Sequence, residues 1–423
     1  MPTDDCDVLV VGGGTAGVVA AVQAGRAGAR TLLVEKTGLL GGTMTSAGVG
    51  RPGLFHAWGR QVIAGIGWDL VRRCVAECGG ALPDFSRAPR GHWEHQVWVN
   101  PAIYAALCDE AVLGSGARLL LHTMPAAVEQ AGENWRVTLC TKTGLTRLTA
   151  RVLVDCTGDA NAAALAGAAL RVPEAAQPGS LVVRASGYDL AALDLPALNA
   201  AFQAAVARGD VRPTDAGWEG AGADLAKWLR QGGSTANHIG GINAGDSEGR
   251  TRLEVDARRA LLRLYRFLRR QPGLGNLTID HIAAECGVRE TVTIVGDETV
   301  TAVDYTTGRR WPDAVCYAFY PIDLHTDDPA GLDCRPLAEG VVPTVPRGAL
   351  VPAGRRNLIV AGRCISSDRL ANSALRVQAT CMATGQAAGA LAALAAAMPA
   401  DPRSVPLSDL RRLLQAHGAL VPR

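Results

Sequence analysis

Asp7-Val-Leu-Val-Val-Gly-Gly-Gly-Thr-Ala-Gly17, continued by Val18 to Ala29 and by Thr31-Leu-Leu-Val-Glu35, is the stretch that decides the fold. Asp7 to Val11 is a continuous apolar run, the composition of a strand buried on both faces of a parallel sheet. Gly12, Gly14 and Gly17 follow at once as G-x-G-x-x-G, with Thr15 and Ala16 inside the turn. The next segment reads as a small-residue helix ending near Gly28, and Thr31 to Val34 as a second strand that stops at Glu35. Gly12 permits the tight turn, Gly14 lets the backbone approach a diphosphate, and Gly17 lets helix and strand pack closely. The free amides and positive end of the helix then meet the phosphates. Glu35, about twenty residues on, stands where a carboxylate accepts hydrogen bonds from ribose hydroxyls. The glycine motif alone is a weak signal. Set between a strand and a helix, with an acid ending the next strand, it predicts a dinucleotide site.

Three later features favour FAD over a nicotinamide cofactor. Glu35 is followed by Lys36 and then by Gly41-Gly42-Thr43-Met44-Thr45-Ser46-Ala47-Gly48, where a glycine pair and hydroxyls let the chain pass close to a flavin and its phosphates. The second half of a nicotinamide domain is missing; residues 135–153 instead read as short antiparallel strands around a Thr-Gly turn. They lead into Val152-Leu-Val-Asp-Cys-Thr-Gly-Asp159, a buried strand ending in a turn that offers Gly158 and Asp159 to the cofactor. Finally, Asn357-Leu-Ile-Val-Ala-Gly-Arg363 is a strand returning to a glycine, followed by a long helix predicted over Ser373 to Ala396. No second complete glycine motif follows a strand. Gly220-Ala-Gly222 lies in a polar stretch and reads as a loop, so no separate NAD(P)H domain is expected.

The amino-terminal stretch, Val154-Asp-Cys-Thr-Gly-Asp-Ala160 and the run from Ala361 to Gly389 (AGRCISSDRLANSALRVQATCMATGQAAG) together resemble FAD-dependent oxidoreductases with the glutathione-reductase-type FAD-binding fold. Weaker echoes lie at residues 287–301 and 320–325. The resemblance implies an α/β protein with a discontinuous FAD-binding domain over 1–165 and 345–400, built on a parallel sheet plus a small antiparallel sheet. Residues 51–98 would form an excursion toward a second, α+β substrate or cap domain over 166–344, and 401–423 a C-terminal tail. It also implies that Gly362 and Arg363 lie by the pyrophosphate and ribityl chain, although many flavoproteins carry Asp where Arg363 stands. Arg376 and the Gly385-Gln386 turn of helix would lie near the flavin C2 carbonyl, where positive charge stabilises the anionic reduced ring.

Composition narrows the partners. With 423 residues, 48% hydrophobic, the chain can bury a large core, and a formal charge of +2 gives no general attraction to nucleic acid or membrane. The eleven cysteines are scattered and odd in number, with no C-x-x-C pair, which argues against a disulfide framework, a zinc knuckle or an iron–sulfur cluster. The start lacks a basic n-region and runs into a strand, so it is not read as a signal peptide. Gly385 to Met398 is rich in small residues and short for a bilayer. A cytoplasmic protein acting on a small molecule is expected.

In the middle of the chain, Thr251 to Arg270 reads as an amphipathic helix with Leu261, Leu264, Tyr265 and Leu268 on one face and arginines solvated on the others. Residues 298–323 read as short strands (TVTAVDY, AVCYAFYPID) that roof the flavin. Oxidising an alcohol or amine needs a base for its proton. Of the eight histidines, His238 in a glycine-bounded turn and His325 at the end of Tyr320-Pro-Ile-Asp-Leu-His325 are the base candidates, with His281 assigned to a helix surface. Asp323 and His325 fall on the same side of a pleated strand, so Asp323 can orient the imidazole; Tyr320 belongs to the same strand. Arg289 is a candidate carboxylate anchor or carbonyl polariser, the alternative being a salt bridge to Glu290 or Asp297. His92 to His95 lacks the i, i+4 spacing of a zinc helix, and no metal site is expected. The expected activity is hydride transfer between flavin N5 and a small polar molecule, with an unidentified electron acceptor. An oxidase or monooxygenase and a non-catalytic flavin-binding or redox-sensing protein stand as alternatives.

Overall fold

The computed structural model describes residues 5–87, 89, 91–217, 224–234, 237–326 and 331–422. Its organising element is β1 (Cys6–Val11), which pairs in parallel with β2 (Thr31–Val34) on one side and with the C-terminal half of β6 (Gly144–Asp155) on the other. Beyond β2 lies β3 (Arg118–Leu120), also parallel. Strand β6 is long enough to join the parallel and the antiparallel parts of one sheet. Its first half forms an antiparallel meander with β5 (Asn134–Thr141) and β4 (Met124–Ala131), while its end pairs in parallel with β7 (Leu358–Val360). The result is one mixed seven-stranded sheet, with smaller antiparallel pairs elsewhere.

The continuous apolar runs of β1 and β2 are explained by burial on both faces. Val8 and Val10 enter one core with Leu33, Val152 and Val154, while Cys6, Leu9 and Val11 enter the opposite one with Leu32, Val34 and Leu153. On the first face lie α1 (Thr15–Arg26) and α2 (Gln378–Ala397). They approach backbone to backbone: a Cβ built on Gly385 would sit 2.2 Å from the Ala16 carbonyl oxygen, and one on Gly389 2.2 Å from that of Ala20. Nearly every side chain of α2 is buried. It is the one described helix long and apolar enough to cross a membrane, and it lies inside the core.

A second hydrophobic core is built from residues 181–288. The helix Ser247–Leu268 lays Leu253, Ala257, Ala260, Leu264 and Leu268 into it, beside a three-stranded antiparallel sheet of Gly233–Ser234, Val183–Ser186 and Thr278–Ile282. Its arginine face is less solvated than the sequence reading has it. Arg263 reaches the buried Asp215 with two hydrogen bonds, at 2.7 and 3.1 Å.

Several sequence expectations are corrected by packing. TVTAVDY is not a strand: Thr301 and Asp304 form a capping box that starts the helix Ala302–Thr307. AVCYAFYPID does supply strands, Ala314–Tyr317 and Ile322–His325, but they pair with Thr344–Pro346 and Leu332–Arg335 in separate two-stranded ribbons. Tyr305, Val315, Ile322 and Val345 join the first core together with Phe55 and Ile66, so these parts of the chain pack against the 51–98 excursion's described residues. The stretch after 400 carries the helix Leu407–Ala416, whose Leu410 and Leu414 are buried in that core. His281 lies on the strand Thr278–Ile282, exposed. Gly220-Ala221-Gly222 falls outside the described residues.

Because no side chain fits between α1 and α2, Gly385→Ala is expected to destabilise the fold by at least about 1–3 kcal/mol. Urea unfolding of wild type and variant, compared by midpoint at constant m-value, measures this. An unchanged midpoint would mean that the two helices do not touch there.

Candidate functional site

The glycine motif folds as its spacing requires. Gly12 has φ of 97°, and a Cβ on Gly17 would stand 1.7 Å from the Gly12 carbonyl oxygen. Gly14 is the N-cap of α1; no side chain caps that helix end, no acid lies in its first turn, and a Cβ at Gly14 would meet open space. Gly41 donates to the Gly13 carbonyl at 2.8 Å, and a Cβ on Gly42 would lie 2.8 Å from the Gly14 Cα, so a second glycine loop is laid directly on the first. Glu35 closes the group: one carboxylate oxygen accepts from the Gly13 amide at 2.6 Å, the other from the amide and hydroxyl of Thr37 at 2.8 Å. Backbone amides, positive helix end and an acid at the end of β2 are the donor and acceptor set that an adenosine diphosphate moiety requires. The residues fit FAD.

The contacts between α1 and α2 fix a second anion-seeking end. Gly385 is level with Ala16 and Gly389 with Ala20, so the helices run in the same direction. Gln378 precedes Gly385 by seven residues and Thr15 precedes Ala16 by one. At 1.5 Å per residue α2 therefore begins about 9 Å beyond α1 on the same side of the sheet. Its N-cap, Val377, offers no side chain either. The expected single helix from Ser373 is in fact two, Arg369–Leu375 and α2, and the break at Arg376–Val377 is what creates this end.

Arg376 leads into the second half of the site. Its Nη2 donates to the Asp323 carbonyl at 2.9 Å and lies 3.4 Å from the Asp323 carboxylate. Asp323 also faces His325, with Oδ2 3.4 Å from Nε2, and His325 Nδ1 is hydrogen-bonded to His238 Nε2 at 2.9 Å. Both imidazoles are buried. Burial, followed by the charge of Arg289, holds His238 down at about 2 and His325 at about 4, the latter against the pull of Asp323. Burial raises the Asp323 carboxyl, but the His325 hydrogen bond and the Arg376 charge outweigh it and leave the group at about 2. At neutral pH Asp323 is thus ionised and both imidazoles are neutral. An ionised carboxylate only accepts, so His325 carries its hydrogen on Nε2, and its Nδ1 accepts from His238 Nε2.

Tyr320 is positioned by Tyr305, whose hydroxyl donates to the Tyr320 carbonyl and accepts from its amide. Its own hydroxyl accepts from Gln96 at 2.9 Å, and the His92 ring packs edge-on against it, so the 51–98 excursion does reach the site. His95, the other imidazole of that turn, packs against Phe85. Arg289 Nη1 donates to the Pro178 carbonyl at 2.6 Å and to Ser180 Oγ at 3.1 Å. Gln177 has no sequence signal, lying in a patternless loop, yet it is buried here: its Oε1 accepts from the His325 amide and from Arg376.

Other expected cofactor residues are engaged within the protein. Lys36 pairs with Glu285, which also holds Ser46 and Arg250. Thr45 turns its hydroxyl to the Leu40 carbonyl, and the Thr43 carbonyl accepts from the Val49 amide. Arg363 binds the Gly158 and Val288 carbonyls and the Asp159 carboxylate, which accounts for the absence of an Asp at that position: it ties the turn after β6 to the turn after β7. Gly362, with φ of 87°, donates to Thr384 Oγ1. Arg376 stands with the histidines, and Gly385 packs on α1. Gln386 bridges the Ile66 amide, Gln23 and the His417 carbonyl. The buried Asp155, receiving Thr157 and Ala163, organises the turn carrying Gly158; its signal was the acid ending an apolar strand.

A family model described as FAD dependent oxidoreductase matches residues 7–414. Dihydrolipoyl dehydrogenase 2 of Arabidopsis thaliana is 48% identical over 46 residues, 11% of this chain and 9% of that protein. Leghemoglobin reductase of Glycine max matches to the same extent. The chain thus spans only 9% of the length of these curated relatives. A geranylgeranyl bacteriochlorophyll reductase-like protein from Thermoplasma acidophilum is similar over 98% of this chain and 83% of its own, at 13% identity and a TM-score of 0.43. The p-nitrophenol 4-monooxygenase of Pseudomonas putida is similar over 99% and 81%, at 11% identity and a TM-score of 0.39.

The neutral histidine pair has a consequence for stability. Both folded values lie below the 6.5 of an ordinary histidine, so the unfolded chain binds the extra protons. The contribution is complete above about pH 6.5 and is lost as the pH falls toward 4, at up to about 1.4 kcal/mol per pH unit for each imidazole. In His325→Gln the slope of unfolding free energy against pH between 6.5 and 4 is expected to fall by about that amount. Urea titrations across this range measure it; an unchanged slope would mean that His325 is protonated in the fold.

Proposed function

The chain belongs to the FAD-dependent oxidoreductase family, FAD is its cofactor, and on that premise we propose that it transfers a hydride between flavin N5 and a small polar organic molecule. The observation carrying this reading is the hydrogen-bonded series Asp323–His325–His238, joined through Arg376 to the residue before α2. In a glutathione-reductase-type arrangement the α1 amides hold the diphosphate and the uncapped end of α2 faces the pyrimidine edge of the ring. Bound FAD supplies the two-electron acceptor or donor.

The protein residues supply the proton chemistry. A substrate alcohol or amine gives up its proton to the His238–His325 pair. The imidazolium so formed shares its charge through His325 with Asp323, whose carboxylate is kept ionised by Arg376. Burial and the Arg289 charge keep both rings neutral and lower their basicity, so the Asp323 carboxylate is what favours the proton that arrives, and Tyr320, held by Gln96 and Tyr305, walls the same side. The reverse sequence delivers a proton when the substrate is reduced.

The test is an anaerobic screen of alcohols, amines, amino acids and sugars on the FAD-loaded protein, following loss of the oxidised-flavin band. A donor that bleaches the band is expected, and His238→Gln and His325→Gln should each slow bleaching by about 10²–10⁴ with FAD content unchanged. Gly14→Val should lose the cofactor itself. Rates equal to wild type in both histidine variants would overturn the base assignment. Admitting air afterwards reads the acceptor, since rapid reoxidation marks an oxidase or monooxygenase. A protein that holds FAD but is bleached by no donor would be a flavin-binding or redox-sensing protein.

A further inference from the structure

Arg289 is the cation of this site that forms no direct ion pair with a carboxylate among the described residues. Its two acidic candidates are bound elsewhere: Glu290 accepts from Arg369 at 3.2 Å and from the Gln177 amide at 3.0 Å, and Asp297 pairs with Arg403 at 2.7 Å. Asp323 is shared between His325 and Arg376. The acceptors that Arg289 does have, the Pro178 carbonyl and Ser180 Oγ, are neutral, and both engage Nη1. Ser180 Oγ in turn donates to the Asn237 carbonyl at 2.7 Å, which fixes the guanidinium one residue from His238.

With both imidazoles neutral, the site holds Arg289 and Arg376 against Asp323 and carries a net positive charge. Taking a guanidinium out of water without a counter-charge is unfavourable, and Arg289 is half-buried. Burial and the neighbouring Arg376 charge pull it down to about 9 against the opposing pull of Asp323, the direction of a cation held in a net unfavourable field. Two further donors, Arg376 Nε and Gln177 Nε2, are buried with no acceptor among the described residues. They belong to adjacent groups, since Arg376 Nη2 lies 3.3 Å from Gln177 Oε1, and Gln177 is fully enclosed. A surplus of positive charge and of unanswered donors calls for a ligand that is anionic and only accepts. The planar guanidinium fork, held by Nη1 alone, matches the two oxygens of a carboxylate.

We propose that the substrate is an organic carboxylate, its carboxylate group seated on Arg289 beside Arg376 Nε and Gln177 Nε2, with the carbon to be oxidised or reduced facing the His238–His325 pair. This deepens the oxidoreductase reading above and rests on it for the chemistry at that carbon. The seat itself is a binding property and can be measured without turnover.

Calorimetric titration of the FAD-loaded protein with acetate, lactate and benzoate, with acetamide, lactamide and benzamide, and with inorganic phosphate tests it. At least one carboxylate is expected to bind about 10-fold or more tightly than its amide. Arg289→Gln should abolish that preference and Arg289→Lys should reduce it, with flavin absorbance showing wild-type FAD content in both. If Arg289→Gln does not fold, the lysine variant decides the matter, because it keeps the charge and loses the fork. Amides binding as well as carboxylates, no carboxylate binding in the millimolar range, or phosphate binding as tightly as the best carboxylate would each overturn the proposal. So would loss of FAD together with the preference in Arg289→Gln, since the anion would then be the cofactor's diphosphate. Carboxylate selectivity in a protein that holds no FAD would support the seat and count against the oxidoreductase reading.

Discussion

The contact between α1 and α2 sets the geometry of everything else. Two glycines four residues apart let the backbone of one helix lie against the carbonyls of Ala16 and Ala20 in the other. Helices that touch backbone to backbone have little freedom to slide, because each ridge is a main-chain atom rather than a flexible side chain. Their relative register is therefore fixed, and with it the roughly 9 Å stagger of two uncapped N-termini on one side of the sheet. Each end carries a partial positive charge, and at α2 the Ala379 amide is already taken by the Pro52 carbonyl at 2.7 Å. The sheet beneath, with β1 buried on both faces, holds α1; the break after Leu375 starts α2 in the same place that Arg376 needs to reach Asp323.

The site is electrostatically asymmetric. At the diphosphate end the positive groups are backbone amides, and the described side chains nearby are tied to one another: Lys36 and Arg250 to Glu285, Arg363 to Asp159. Around the histidine pair the positive groups are arginines, and one carboxylate serves both Arg376 and His325. A buried, positively biased environment keeps the two imidazoles neutral and resists their protonation, and the ionised aspartate at the far end of the series is the group that offsets a proton arriving there. Arg289, in the same surroundings, has only neutral hydrogen-bond acceptors among the described residues.

How much of this was legible depended on range. The dinucleotide motif, Glu35, the meander around the Thr-Gly turn and the returning strand before Gly362 are local patterns of period, glycine and terminal acid, and they appear where their spacing puts them. The pairing of Asp323 with His325 also followed from the alternation of one strand. His238 and His325 were separate candidates, and nothing in their spacing of 87 residues joins them; the hydrogen bond between them is made by the fold. The helix at Ala302 was misread because β-branched residues outweighed a capping box that the sequence did contain. Gln177 had no local signal of any kind.

By itself, then, the sequence determined the α/β class of fold and the strand–glycine turn–helix unit that ends at Glu35, since these rest on backbone conformation and on short-range periodicity that each segment carries alone. The tertiary structure alone decided which side chains meet: that α2 begins at Gln378, that Arg376 serves Asp323 rather than standing apart from it, that Glu290 and Asp297 turn away from Arg289, and that Gln177 enters the site. The physical reason is that charge compensation and burial are properties of neighbours in space. A carboxylate next to an arginine in the chain, such as Glu290 beside Arg289, is free to bind any cation that packing brings closer, and here packing brought Arg369.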